Sequence, residues 1–215
     1  MIKRYRTTYK KGIDEITINK SRFISYSMPI DSEEDALKFI EEIKTLHRDA
    51  THNVYGYVVG DDNSIQRYSD DGEPSGTAGI PVLEVIKKED LRNVVVVVTR
   101  YFGGIKLGTG GLIRAYTKGA KIGLESGIIV DKVLFRKVKI RVDYTLYGKV
   151  ENYLQNKGII IEDTIYDDAV NIIVYIEYEE FNSFIDIMED LTSATAIIDD
   201  IGEEYLLIKD GKRLD

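Results

Sequence analysis

The sequence predicts an α+β protein of two domains, an N-terminal α/β sandwich and a C-terminal ferredoxin-like domain, and three observations lead there. Charge is unevenly divided: residues 1–136 hold 21 Lys+Arg against 19 Asp+Glu, whereas residues 137–215 hold 8 against 18. Such asymmetry marks two units with different surfaces. In the second half, alternation at Val138, Ile140, Val142, Tyr144 and Leu146 opens a βαββαβ order, the split βαβ sandwich. In the first half, the apolar run 94–98 leads into five glycines within nine residues and then an amphipathic helical pattern. No Pro- or Ser-rich linker separates the halves. The expected boundary falls near residues 128–136, giving domains 1–133 and 134–215.

Each element has its own local reason. Residues 13–18 and 23–29 read as short strands. Ser32 reads as an N-cap followed by Glu33, Glu34 and Asp35, which favour the positive end of a helix dipole. Ala36, Phe39, Ile40, Ile43 and Leu46 follow at helical spacing, so a helix is expected over 33–47. Residues 54–59 and 65–68 read as strands around a turn at 60–64. A second helix is expected to start near Ser75 or Gly76, with Pro81 early enough that its missing N–H does little harm. A buried strand over 94–99 and a third helix over 109–126, capped by Gly127, complete the first domain. In the second, a helix over 147–157 ends at Gly158, strands are expected over 159–165, 170–178 and 196–208, and Phe181, Phe184, Ile185, Met188 and Leu191 lie on one helix face.

Composition narrows the chemistry. The chain has no cysteine and two histidines, which excludes disulfides and thiolate metal sites or nucleophiles and leaves only His47 and His52 for imidazole chemistry. No run approaches the length of a membrane helix, and the basic start lacks a signal peptide's apolar segment; a cytoplasmic protein without membrane contact is expected.

Two motifs stand out. Gly103, Gly104, Gly108, Gly110 and Gly111 lie between a strand and a helix, with the cations Arg100, Lys106 and Arg114 around them. The spacing is not a P-loop, because no lysine follows Gly108, and Ile113 takes the place of a dinucleotide fingerprint's third glycine. The glycines serve either tight turns and packing or an anion site in which backbone N–H groups converge. The second motif is acidic: Asp70, Asp71 and Glu73 follow Arg67 and precede Ser75 and Thr77. Pairing with Arg100 or Arg114 ranks first for these acids, a partner-binding surface second and Mg²⁺ third. Ser75 sits in G-x-x-S-G, not a nucleophile elbow, and His52 at a strand start reads as bonded to backbone. His47 and His52, five residues apart, miss the helical metal pair. No catalytic residue, metal or cofactor is assigned. Tyr55, Tyr57, Tyr68, Tyr101, Phe102 and Tyr116 cluster in or beside the motifs, and aromatic platforms beside Arg and Lys suit single-stranded RNA.

These motifs also carry a resemblance. Residues 20–24 (KSRFI), 52–55 (HNVY), 69–79 (SDDGEPSGTAG) and 96–116 (VVVTRYFGGIKLGTGGLIRAY) resemble the YigZ/IMPACT family. The resemblance implies a first domain similar to the second domain of a small-subunit ribosomal protein and a second similar to the ferredoxin-like domains of elongation factor G. It also implies a role in translation: eukaryotic relatives compete for the activator of a starvation-response kinase and carry an extra N-terminal domain, which is not expected in a chain of this length. The expected function is that of a non-enzymatic, translation-associated protein contacting RNA, the ribosome or a regulatory protein. RNA is expected on the first domain, because the acidic second half repels phosphates. The alternative is a phosphate- or nucleotide-handling enzyme using the glycine loop and the acids Asp70, Asp71 and Glu73.

Overall fold

The computed structural model describes residues 2–60 and 62–214. Two compact units divide at Asp131 and Lys132, the first running Tyr5–Asp131 and the second Lys132–Asp215 together with Ile2–Arg4. A backbone bond from the Leu134 N–H to the Lys3 carbonyl ties the N-terminal residues to the second unit. Among the described residues no helix is long and apolar enough to cross a membrane.

The first unit contains β1 (Arg4–Thr8) from Tyr5 onward, then β2 (Gly12–Ile18), β3 (Ser21–Pro29), α1 (Glu33–Leu46), β4 (His52–Val59), β5 (Ile65–Ser69), α2 (Gly79–Lys88), β6 (Val94–Tyr101) and α3 (Gly108–Ser126). Five strands form an antiparallel sheet in the order β2-β3-β6-β4-β5. The central strand β6 is apolar at successive positions because both its faces are covered. Val94, Val96 and Val98 pack with Val82, Ile86, Ala115 and Tyr116 of α2 and α3, whereas Val95 and Val97 pack with Phe39, Ile40 and Ile43 of α1. The polar strand β1, RYRTT, carries no apolar alternation and was not expected.

Helix starts are set by side-chain chemistry. Ser32 accepts from the Asp35 N–H at 3.1 Å and donates to the Asp35 carboxylate at 2.6 Å, capping α1 as expected. The second helix starts at Gly79 rather than near Ser75 or Gly76. Its cap comes from farther away: Asp70 Oδ1 accepts from the Ala78 and Gly79 N–H groups at 3.0 and 2.8 Å, and Oδ2 from that of Gly76 at 2.8 Å. With Asp70 filling the cap, Ser75 stays exposed and the Thr77 hydroxyl donates to the Pro74 carbonyl.

The second unit follows the βαββαβ order with β7 (Ile129–Val142), α4 (Tyr144–Lys157), β8 (Ile160–Tyr166), β9 (Val170–Glu177), α5 (Phe181–Thr192) and β10 (Ile197–Lys209), to which the hairpin strand β11 (Lys212–Leu214) is added. Within this six-stranded sheet the order β10-β7-β9-β8 is ferredoxin-like, with β11 added at the β10 edge and β1 pairing with β7 off that path. Val138, Ile140, Val142, Val150, Leu154, Phe184 and Met188 form its core. Tyr144 and Leu146, read from the sequence as strand, belong to α4. The polar–apolar alternation runs on past Asp143, but Leu146, Val150 and Leu154 also share a helical face, and packing on the sheet selects that period. Gly158 ends α4 in the left-handed conformation at φ 68°.

Candidate functional site

The two motifs meet at one end of the first sheet, through a buried charge cluster. Arg100 shares a strand face with Val94, Val96 and Val98, so it points into the layer beneath α2 and α3 and is only 5% exposed. Its Nη1 donates to Glu73 Oε1 at 2.6 Å and its Nη2 to Ser21 Oγ at 3.4 Å. The Tyr116 hydroxyl donates to the same Glu73 oxygen at 2.7 Å. Burial first, and then the Glu73 carboxylate, push the Tyr116 phenol well above its ordinary pKa, so it stays a donor. His52 is set beside Arg100 by the β4–β6 register. Its Nδ1 lies 2.7 Å from the Asp71 carbonyl, which can only accept, so Nδ1 carries the proton, and Nε2 faces Glu73 Oε2 at 3.8 Å.

The acids are spent on the protein's own donors. Asp70 caps α2, Asp71 accepts from the Asn53 N–H at 2.6 Å and lies 3.7 Å from Lys44, and Glu73 holds Arg100 and Tyr116. Structural pairing, ranked first from the sequence, describes Glu73. Among the described residues no three His, Asp or Glu side chains converge as metal ligands. The acidic loop is thus a clamp that joins β4, β6 and the middle of α3.

Arg100 therefore does not converge with Lys106 and Arg114 on an open anion. Its guanidinium was expected there because it ends a strand beside the glycines, but the buried Glu73 carboxylate claims it first. Arg67 and Tyr101 also turn elsewhere: Arg67 reaches Glu33 of α1 at 3.8 Å, and the Tyr101 hydroxyl lies 2.9 Å from His47 Nδ1. Tyr55 and Tyr57 stack on the same α1-facing side.

What lies open is the segment from Phe102 into the first turn of α3. Lys106 and Arg114 are exposed, as are Phe102, Ile105 and Ile113. Arg114 folds back over the helix start, with Nη1 3.5 Å from where a Cβ on Gly110 would stand. Gly104 and Gly108 have φ of +82° and +69°, a backbone that favours glycine. Gly103 is a packing glycine instead: a Cβ there would overlap the Lys20 carbonyl. That contact shows what the sequence reading missed. Lys20, in the Asn19-Lys20 turn between β2 and β3, is exposed and sits beside the glycine loop. The local clue was its place at a hairpin turn, but nothing local says which loop that turn meets.

The three helices of this unit begin differently. Carboxylates stand at the starts of α1 and α2. By contrast, α3 has Leu107 at its N-cap with no side-chain acceptor and no acid in its first turn. Its positive end is left with Gly110, Gly111 and Arg114, an arrangement suited to an external anion.

An antiparallel α/β sandwich carrying the clamp and glycine loop, followed by a ferredoxin-like domain, defines a two-domain class of protein. The Impact N-terminal domain model matches residues 19–124, which include the whole site, and a domain of unknown function (DUF1949) matches residues 140–195. IMPACT family member YvyE of Bacillus subtilis is 44% identical over 206 residues, covering 96% of this chain and 95% of that protein. IMPACT family member YigZ of Escherichia coli is 39% identical over 67% of this chain and 72% of that protein. Protein IMPACT homolog of Saccharomyces cerevisiae is 35% identical over 44% of this chain and 38% of its own length. A solved structure titled as that of a hypothetical protein matches with a TM-score of 0.60 at 29% identity, covering 94% of this chain and 99% of that one. The chain belongs to the IMPACT family.

Proposed function

We propose that the protein acts in translation by holding RNA phosphates at the N-terminus of α3, between Lys20, Lys106 and Arg114. Membership of the IMPACT family supports a regulatory, translation-related role in broad terms. The observation that carries the finer reading is the contrast among helix starts: α3 alone of the three in its unit lacks a carboxylate and presents glycine and arginine instead. Backbone N–H groups at such a start bind phosphate, and glycine lets the ligand approach. The acidic second half, with 8 Lys+Arg against 18 Asp+Glu over residues 137–215, keeps the footprint small and the affinity modest.

The test is equilibrium binding of a labelled single-stranded oligoribonucleotide at several salt concentrations. Affinity should fall steeply with salt, and Lys106→Gln with Arg114→Gln should weaken binding to all sequences alike. Each lost contact should also reduce the salt slope by about 1. Unchanged binding by the folded double variant would refute the phosphate site and favour a protein partner.

A further inference from the structure

We infer that Phe102 is a nucleobase-stacking platform, so that the site takes single-stranded RNA with its bases unpaired; this rests on the phosphate reading above. A column of planar groups runs outward from the core. Tyr116 meets Phe23 edge-on, with ring centres 5.4 Å apart at 88°. The Arg100 guanidinium lies over Phe23 at 5.5 Å and over Phe102 at the same distance. Tyr116 and Phe23 are fully buried and Arg100 nearly so, but Phe102 is 47% exposed. The outermost member of the column thus presents aromatic surface to solvent.

The platform is held before any ligand arrives. The Phe102 N–H donates to Thr51 Oγ1 at 3.0 Å, and the guanidinium behind the ring is fixed by Glu73 and Ser21. A preorganised aromatic loses little freedom on binding. The next residue, Gly103, packs against the Lys20 backbone, and the exposed Lys106 follows four positions after Phe102, so the turn and the loop next to the platform each carry a lysine. A flat apolar surface on a segment that also carries lysines matches a base carried on a phosphate backbone, and every base has a π-face to stack. Paired bases inside a duplex are stacked on one another and do not offer that face.

The experiment compares, for the full chain, fluorescence anisotropy titrations of an oligouridylate, an abasic ribose-phosphate strand of equal length and an RNA duplex. The oligouridylate should bind about tenfold tighter than the abasic strand. Phe102→Leu, which keeps apolar cover over Arg100, should erase that preference while leaving the abasic affinity unchanged. The chain has no tryptophan, so Phe102→Trp provides a single indole whose emission should be quenched by the oligouridylate and not by the abasic strand; this arm stands even if the leucine variant folds poorly. Equal affinity of the parent for both single strands, or an unaltered preference in Phe102→Leu, would overturn the stacking platform and leave the phosphate site standing. Binding of no strand at all would overturn both.

Discussion

At the C-terminal end of α3, glycine is forced by what lies against it: a Cβ on Gly123 would overlap the Ser25 hydroxyl, and one on Gly127 would come within 2.5 Å of that of Ser27. At the N-terminal end, a Cβ on Gly110 would meet nothing closer than the movable Arg114 guanidinium at 3.5 Å. The same residue type is thus required by contact within the protein at one end and not required by packing at the other. Where packing does not require a glycine and helix propensity disfavours one, an external ligand is a physical reason to have it.

The largest effect should come between the two ends, where Glu73 ties Tyr116 to Arg100. Glu73→Gln leaves Arg100 buried without its counter-charge and should cost about 3–5 kcal/mol, measured by denaturant unfolding. A loss under 1 kcal/mol would mean that solvent reaches the clamp and that the middle of α3 is not fixed by it. Gly123→Ala should cost about 1–3 kcal/mol through overpacking against β3; a variant that melts like the parent would remove the packing half of the comparison. Gly110→Ala should do the reverse, raising stability by up to about 1 kcal/mol while weakening RNA binding, and undiminished binding would break the ligand half.

The smallest effect separates α3 from the opposite face of the sheet. His47 lies between the hydroxyls of Tyr26, 2.6 Å from Nε2, and Tyr101, 2.9 Å from Nδ1. Burial, and secondarily the charge of Arg22, hold its pKa below the usual 6.5. The unfolded chain then binds a proton that the folded chain refuses, so stability should be constant above about pH 6.5 and decline as pH falls toward the folded-state pKa. His47→Gln should flatten the melting temperature across that window, and an unchanged pH profile would show that His47 does not control it.

Much of the fold was legible because its signals are local. The Ser32 cap, the apolar β6 and the βαββαβ order need only a few neighbouring residues to be recognised. The start of α2 was misplaced because its cap is Asp70, eight and nine residues before the amides it holds. Tyr144 and Leu146 were misread because a period of two and a helical period agree over so short a stretch. In the site, the glycine loop, Lys106, Arg114 and the acidic motif were named from sequence. Pairing of the acids with Arg100 was named as well; that this pairing is buried and removes Arg100 from the glycine loop, and that Lys20 arrives there, were not.

By itself, the sequence determined the periodicities, the caps within a turn of their helices, the division of charge between halves and the presence of a glycine-rich, cation-bearing junction. Each of these follows from covalent neighbours. Only the tertiary structure decided which cations are free. Sheet register sets Phe23 and His52 beside Arg100, and the loop carrying Glu73 closes over them. A charge placed in a low-dielectric layer must take the nearest buried counter-charge, and which one is nearest depends on strands and loops that are distant in the chain.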